Sequence, residues 1–196
     1  MQGLRMRIPG MGGEIMTRLG VTVQVLAGAE IYPALERGAI DATEWVGPHD
    51  DLKSGFHQVA KNYYYPGWWE PGVTMSLLTN QAAYDELPGA YQAILRTACG
   101  ETISSTLASY DAANPAALNI LTSEHGVIVR EYPNEIMEAA WTESMDFLEE
   151  QAAGDAVTNE VYQSWKAFRD MSFPYAAGNE LSYAQFAFPR VGNPIG

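Results

Sequence analysis

Two residues of opposite charge stand where short strands end, and their types suit the capture of a charged small molecule. Glu44 closes the stretch Gly38-Ala39-Ile40-Asp41-Ala42-Thr43-Glu44-Trp45-Val46-Gly47-Pro48. There a carboxylate and an indole follow the apolar run Ile40, Ala42 and Thr43, and Gly47-Pro48 breaks the chain behind them. A carboxylate at a strand end of an α/β sheet lies where such folds bind ligands; the alternative is a glutamate that only faces water. Arg7 ends an earlier strand, in which Leu4, Met6 and Ile8 alternate with Arg5 and Arg7 before Pro9-Gly10 stops it. A guanidinium offers a planar fork that matches a carboxylate, which an ammonium lacks. Its alternative is a surface arginine on an edge strand.

The elements that must hold these residues follow from periodicity. Met11 to Leu19 reads as a helix with Met11, Ile15 and Leu19 on one face, and Thr22 to Val25 as a strand. Tyr32 to Gly38 reads as a helix with Ala34 and Leu35 inward, ended by a left-handed Gly38. Asp50 to Lys61 is helical with Leu52, Phe56 and Val59 inward. An aromatic segment follows at Tyr63 to Tyr65, and Val73 to Leu78 reads as a strand. Tyr63 and Trp69 are assigned to packing, while Tyr65 and Trp68 either pack or line a pocket.

From Pro88 to His125 the pattern is helical, with Tyr91, Ile94, Leu95, Ala98, Ile103, Leu107, Leu118 and Leu121 at threes and fours. Asn114-Pro115 should kink or divide that helix, because proline lacks a donor and crowds the preceding turn. Val127 to Glu131 reads as the last strand, Glu135 to Ala152 as a helix, and Thr158 to Met171 as another with Val161, Trp165 and Phe168 on its face.

Three motifs together, Arg7-Ile8-Pro9-Gly10, Tyr32-Pro33-Ala34-Leu35 continuing to Pro48, and Tyr64-Tyr65-Pro66-Gly67-Trp68-Trp69-Glu70-Pro71-Gly72, carry a family resemblance. The chain resembles the solute-binding proteins of TRAP (tripartite ATP-independent periplasmic) transporters, in the subgroup that binds 2-oxo acids and related small carboxylates. The resemblance implies an α/β, periplasmic-binding-protein-like two-lobed fold with a long lobe-spanning helix, of which the N-terminal part is missing. It divides the chain into residues 1–46, a βαβαβ part of the second lobe, and 47–196, the rest of the first lobe with a connecting helix at about 89–125 and a helical C-terminal region.

The resemblance also implies the site. Arg7 would bind the substrate carboxylate; Glu44 and Glu70 would hold a sodium or calcium ion by side-chain oxygens; Trp45 would add its carbonyl and wall the pocket with its ring. The ion would bridge protein and substrate, and membrane permease subunits would receive the cargo. An all-oxygen set of this kind suits hard cations rather than zinc or copper. His49, His57 and His125 lack ligand spacing and read as surface residues.

Composition narrows the classes. A net charge of −13 with 11 Lys+Arg argues against nucleic acid as a partner. Cys99 is single, so no internal disulfide forms, and it reads as a small buried residue on a helix. Met1-Gln2-Gly3-Leu4-Arg5 is no secretory leader, although the resembling family works in the periplasm; a signal peptide lost by truncation reconciles the two. The tail from Ser172 to Gly196 is aromatic and short of charge, so it should pack on the body or on a second copy as a homodimer. The expected function is therefore binding rather than catalysis. A non-binding remnant and a hydrolase using Glu44 and Glu70 as an acid and base are the alternatives.

Overall fold

The computed structural model describes residues 1–72 and 75–192. Three short parallel strands form the first sheet: β1 (Arg5–Arg7), β2 (Thr22–Gln24) and β3 (Ala42–Thr43), in the order β2-β1-β3. Helix α1 (Gly10–Arg18) links β1 to β2, and α2 (Gly28–Glu36) links β2 to β3. Because the chain leaves β1 to one side for β2 and crosses to the other for β3, the order reverses at β1. That is where parallel sheets open a crevice beyond their carboxyl ends.

Local chemistry accounts for these elements. α2 carries the reciprocal end of a capping box, since Glu30 Oε2 accepts from the Ala27 amide at 2.9 Å. It ends as the sequence requires, with Gly38 at φ 65°. Two apolar clusters sandwich the sheet. Ile31, Ala34, Leu35, Ile40 and Phe56 form one, with Trp45 packed against it; Met6, Ile8, Met16 and Val21 form the other, with Trp68 and Trp69 against it. The inward face of α1 is Gly13, Ile15 and Met16, whereas Met11, expected to share it, is exposed. Gly13 is what lets α1 sit so near: a Cβ there would stand 2.7 Å from the Ile8 carbonyl oxygen.

Helix α3 (Pro48–Ser54) is shorter than periodicity suggested, because Gly55 turns left-handed (φ 74°) and a 3-10 turn, Phe56–Gln58, follows. Strand β4 (Asn62–Tyr65) pairs in parallel with β5 (Ile128–Glu131), Asn62 opposite Ile128. The expected strand from Val73 is not formed where it is described: Val73 and Thr74 lie outside the described residues, and Met75 to Leu78 adopt no regular structure and are exposed. Between the paired strands run α4 (Gln81–Asp85) and the 35-residue α5 (Gly89–Ser123).

α5 passes through Pro115 without dividing, and it buries only Ala117 and Leu121. Its amino-terminal half finds no cover among the described residues, so Tyr91, Ile94, Ile103 and Leu107 are exposed and Cys99 is exposed too, against expectation. Helices α6 (Asn134–Gly154) and α7 (Ala156–Ala176) form an antiparallel hairpin turned by Asp155, whose carboxylate accepts from the Thr158 amide at 2.7 Å. α7 buries Tyr162; Val161, Trp165 and Phe168, assigned to its inner face, are exposed. The hairpin reaches the first sheet through Arg18 on α1, which pairs with Glu150 at 2.5 Å. A five-residue π turn (Ala177–Leu181), α8 (Ser182–Ala187) and a 3-10 turn (Phe188–Val191) carry the tail onward. Phe173, Tyr175, Tyr183, Phe186 and Phe188 are all exposed, so the described part of the tail, to Gly192, does not bury its aromatic side chains on the body. None of the described helices is long and apolar enough to cross a membrane.

Candidate functional site

The reversal point of the first sheet holds the two residues singled out by their chemistry. Arg7 is the last residue of β1 and is only 8% exposed. Glu44 follows β3, to which β1 pairs directly with Arg7 opposite Thr43. Arg7 Nη1 donates to Glu44 Oε1, and each side chain is 10% exposed. Nη1 also donates to the Glu44 carbonyl at 3.4 Å, and Nε donates to the Leu26 carbonyl at 3.2 Å. Leu26 lies just past β2, so one guanidinium ties together the carboxyl ends of all three strands. Both bland readings, a water-facing glutamate and a surface arginine, are excluded by this burial.

Trp45 completes the wall. Its ring lies beside the guanidinium, with Arg7 Cζ 5.3 Å from the ring centroid, and meets Phe56 edge-on at 6.2 Å. Gly28 at the start of α2 makes room for that indole: a Cβ at Gly28 would stand 2.8 Å from Trp45 Cη2. The Thr43 hydroxyl donates to the Glu44 carbonyl at 2.9 Å and steadies the turn. Val46 is exposed, and Gly47 (φ 155°) turns the chain into α3.

The charges around Glu44 act against one another. Burial pushes the Glu44 carboxyl above its ordinary range; Arg7 pulls it back, and the charges of Glu70 and Asp51 push it up again. A positive charge beside Glu44 offsets that push, and Arg7 supplies one. Glu70 comes from the turn after β4, in which the Trp68 amide donates to the Pro66 carbonyl at 2.9 Å and the Glu70 amide to Gly67 at 3.3 Å. Glu70 is exposed, and it acts on Glu44 through its charge rather than through a hydrogen bond. Among the described residues no three His, Cys, Asp or Glu side chains gather closely enough to hold a metal by themselves.

The structure therefore brings Arg7, Glu44 and Trp45 into contact and leaves Glu70 at charge range. Sequence reasoning missed the Leu26 carbonyl, because no side-chain signal marks a backbone acceptor. It missed Asp51 and Tyr63 as a hydrogen-bonded pair, although Asn62-Tyr63-Tyr64-Tyr65 alternates exposed and half-buried as a strand should. The histidines are half-buried rather than on the surface, and the His57 and His125 rings stack at 4.1 Å.

A parallel sheet with an arginine and a glutamate converging at its switch point defines a ligand-binding α/β protein. The chain belongs to the DctP family, bacterial extracellular solute-binding protein family 7, whose model matches residues 1–155. A monocarboxylate 2-oxoacid-binding periplasmic protein of a Nostoc strain is 53% identical over 187 residues, covering 95% of this chain and 51% of the relative. A TRAP transporter solute-binding protein from Bordetella bronchiseptica is 40% identical with a TM-score of 0.93, covering 97% of this chain and 56% of that one. Its crystal structure is a mixed-occupancy dimer with calcium and picolinate in one active site. TRAP solute-binding proteins from Pseudoalteromonas atlantica (37%, TM-score 0.87) and Colwellia psychrerythraea (36%, TM-score 0.88) hold pyruvate with sodium and with calcium respectively. In each of these two pairs, 94% of this chain and 56% of the other are covered. The fold is that of TRAP solute-binding proteins, and the chain spans about half the length of the relatives it matches.

Proposed function

We propose that this chain belongs to the solute-capturing component of a TRAP transporter, working in the periplasm and handing a small monocarboxylate, a 2-oxo acid such as pyruvate, to membrane permease subunits. Arg7 takes the ligand's carboxylate. Glu44, the Trp45 carbonyl and Glu70 hold a sodium or calcium ion, which the ligand's carboxylate and keto oxygens also coordinate. Residues 1–46 lie in one lobe and 47–196 in the other. The protein works as a binder and catalyses nothing, and two copies associate through the exposed C-terminal helices.

One observation carries this reading: a guanidinium buried at the carboxyl end of the central parallel strand, in contact with a buried carboxylate whose neighbours are also acidic. The relatives that hold pyruvate with a cation support it. The pocket's aromatic wall and two-sided charge suit a flat anion carrying its own counter-cation.

A hydrolase is the second reading, and the upward push on Glu44 would favour an acid there. Against it, Glu44 Oε1 is engaged by Arg7, a partner that holds the carboxylate charged rather than free to deliver a proton.

Calorimetric titration with pyruvate, with and without calcium or sodium, tests the proposal. Binding heat that needs both the ion and Arg7 is the expected result. Pyruvate that binds equally well in chelator and without sodium, or equally well to Arg7→Ala, would overturn it.

A further inference from the structure

One buried carboxyl is not used by the proposed capture of ligand. Asp51, in α3, is 8% exposed. Its Oδ2 accepts from the Tyr63 hydroxyl at 2.5 Å, and its amide donates to the Gly47 carbonyl at 2.9 Å. Oδ1 is buried with no partner among the described residues. Gly47 ends the turn that carries Glu44 and Trp45. Tyr63 lies in β4, which runs into the turn that carries Glu70. The single O–H···O bond between Asp51 and Tyr63 thus joins the supports of two acidic residues that are 26 positions apart in the chain and share no direct bond.

The other acid of this helix turn points elsewhere. Asp50 lies near the Tyr110 hydroxyl of α5, which its charge pushes upward, and the His49 amide donates to Asn114 Oδ1 at 3.1 Å. His49 therefore fastens α3 to α5, and Asp51 fastens it to β4. An apolar pair would hold α3 on β4 without the cost of burying a carboxyl. What the polar pair adds is a fixed distance and direction.

Resting on the ligand-binding reading above, we propose that Asp51 and Tyr63 are positioning residues: their hydrogen bond sets the spacing between the Glu44–Trp45 turn and the Glu70 turn, and so the affinity for the cation between them. The coupling of Glu44's charge to both Glu70 and Asp51 accords with that arrangement.

The test compares the chain with Tyr63→Phe, Asp51→Asn, Asp51→Ala and, as a control, Tyr110→Phe. Three quantities are measured: calcium affinity at saturating pyruvate, amide hydrogen exchange in residues 44–47 and 67–70, and the ligand-free melting temperature. Losing one hydroxyl in Tyr63→Phe should weaken calcium binding about tenfold, the scale of one such bond. Exchange should quicken in both turns together, with little change in melting temperature. Asp51→Asn, which keeps an acceptor oxygen, should recover part of what Asp51→Ala loses, and Tyr110→Phe should bind calcium as the parent does.

Parental calcium affinity and parental exchange in Tyr63→Phe would overturn the proposal. So would exchange that quickens throughout the chain in step with a fallen melting temperature, or turns that open independently. If Tyr63→Phe does not fold, the Asn and Ala variants decide by the same measures. If the parent binds neither calcium nor pyruvate, the ligand reading fails, and the exchange comparison alone decides whether the couple joins the two turns.

Discussion

At the scale of single residues, the site is a balance of charges that are costly to leave alone. Arg7→Lys keeps the charge but loses the fork, and charge-assisted bonds of this kind contribute about 1.5–3 kcal/mol each. Ligand affinity should fall by about 10- to 100-fold, read by titration with pyruvate and calcium. Glu44→Gln leaves the buried guanidinium unmatched, so it should cost about 3–5 kcal/mol in denaturant unfolding and lower cation dependence before ligand affinity. Asp51 gives a pH signature. Burial lifts it from an ordinary 3.8 to about 6, against the pull of Tyr63 and the Gly47 amide and with a further push from Asp50. The native state therefore holds this proton more tightly than the unfolded chain does. Stability should fall as pH rises from about 4 to about 6, by about 3 kcal/mol at most, and stay lower above that. Asp51→Asn should flatten that slope in urea melts taken across the range. Arg7 and Glu44 were legible from sequence because each ends a strand at a breaker. The Leu26 carbonyl was not, since any residue type supplies one.

At the scale of elements, glycine positions fix how closely helices approach the sheet. A methyl on Gly13 would press on the Ile8 carbonyl, which is backbone and cannot swing aside. Despite the better helix propensity of alanine, Gly13→Ala should lose about 1–3 kcal/mol in thermal or denaturant unfolding. Gly28→Ala should instead displace the Trp45 indole, weakening ligand more than fold; intrinsic tryptophan fluorescence would report the shift. The strands and helices up to β3 followed from alternation and stop signals, except that α2 starts at Gly28, four residues before Tyr32 where the sequence placed it, and runs through Pro33. α3 was over-extended, because Gly55 inside an apolar pattern signals a stop only when its φ is known. The strand expected from Val73 failed for another reason: β-prone residues need a partner strand, and Met75 to Leu78 have none. Pro115 leaves α5 continuous, as proline in a long helix is tolerated where packing on α3 compensates.

At the scale of the whole molecule, the dominant fact is uncovered apolar surface. Tyr91, Ile94, Ile103 and Leu107 on α5, and Phe173, Tyr183 and Phe186 beyond it, face outward together with Leu77 and Leu78. Periodicity marked many of these as inward positions and was right about their character; which neighbour covers them is not a property of the segment itself. A monomer seldom leaves so much apolar area wet. Light scattering at micromolar concentration should therefore find species heavier than one chain, and paired Phe173→Ser and Phe186→Ser changes should shift the population toward single chains. The −13 charge opposes such association at low salt, so added salt should strengthen it. Finally, the guanidinium that fastens three strand ends is paired with the Glu44 carboxylate. On the proposed reading, an arriving anion would replace a contact of the same kind instead of creating one where none existed. The net gain would then be a difference between two similar attachments, which favours quick exchange over permanent retention.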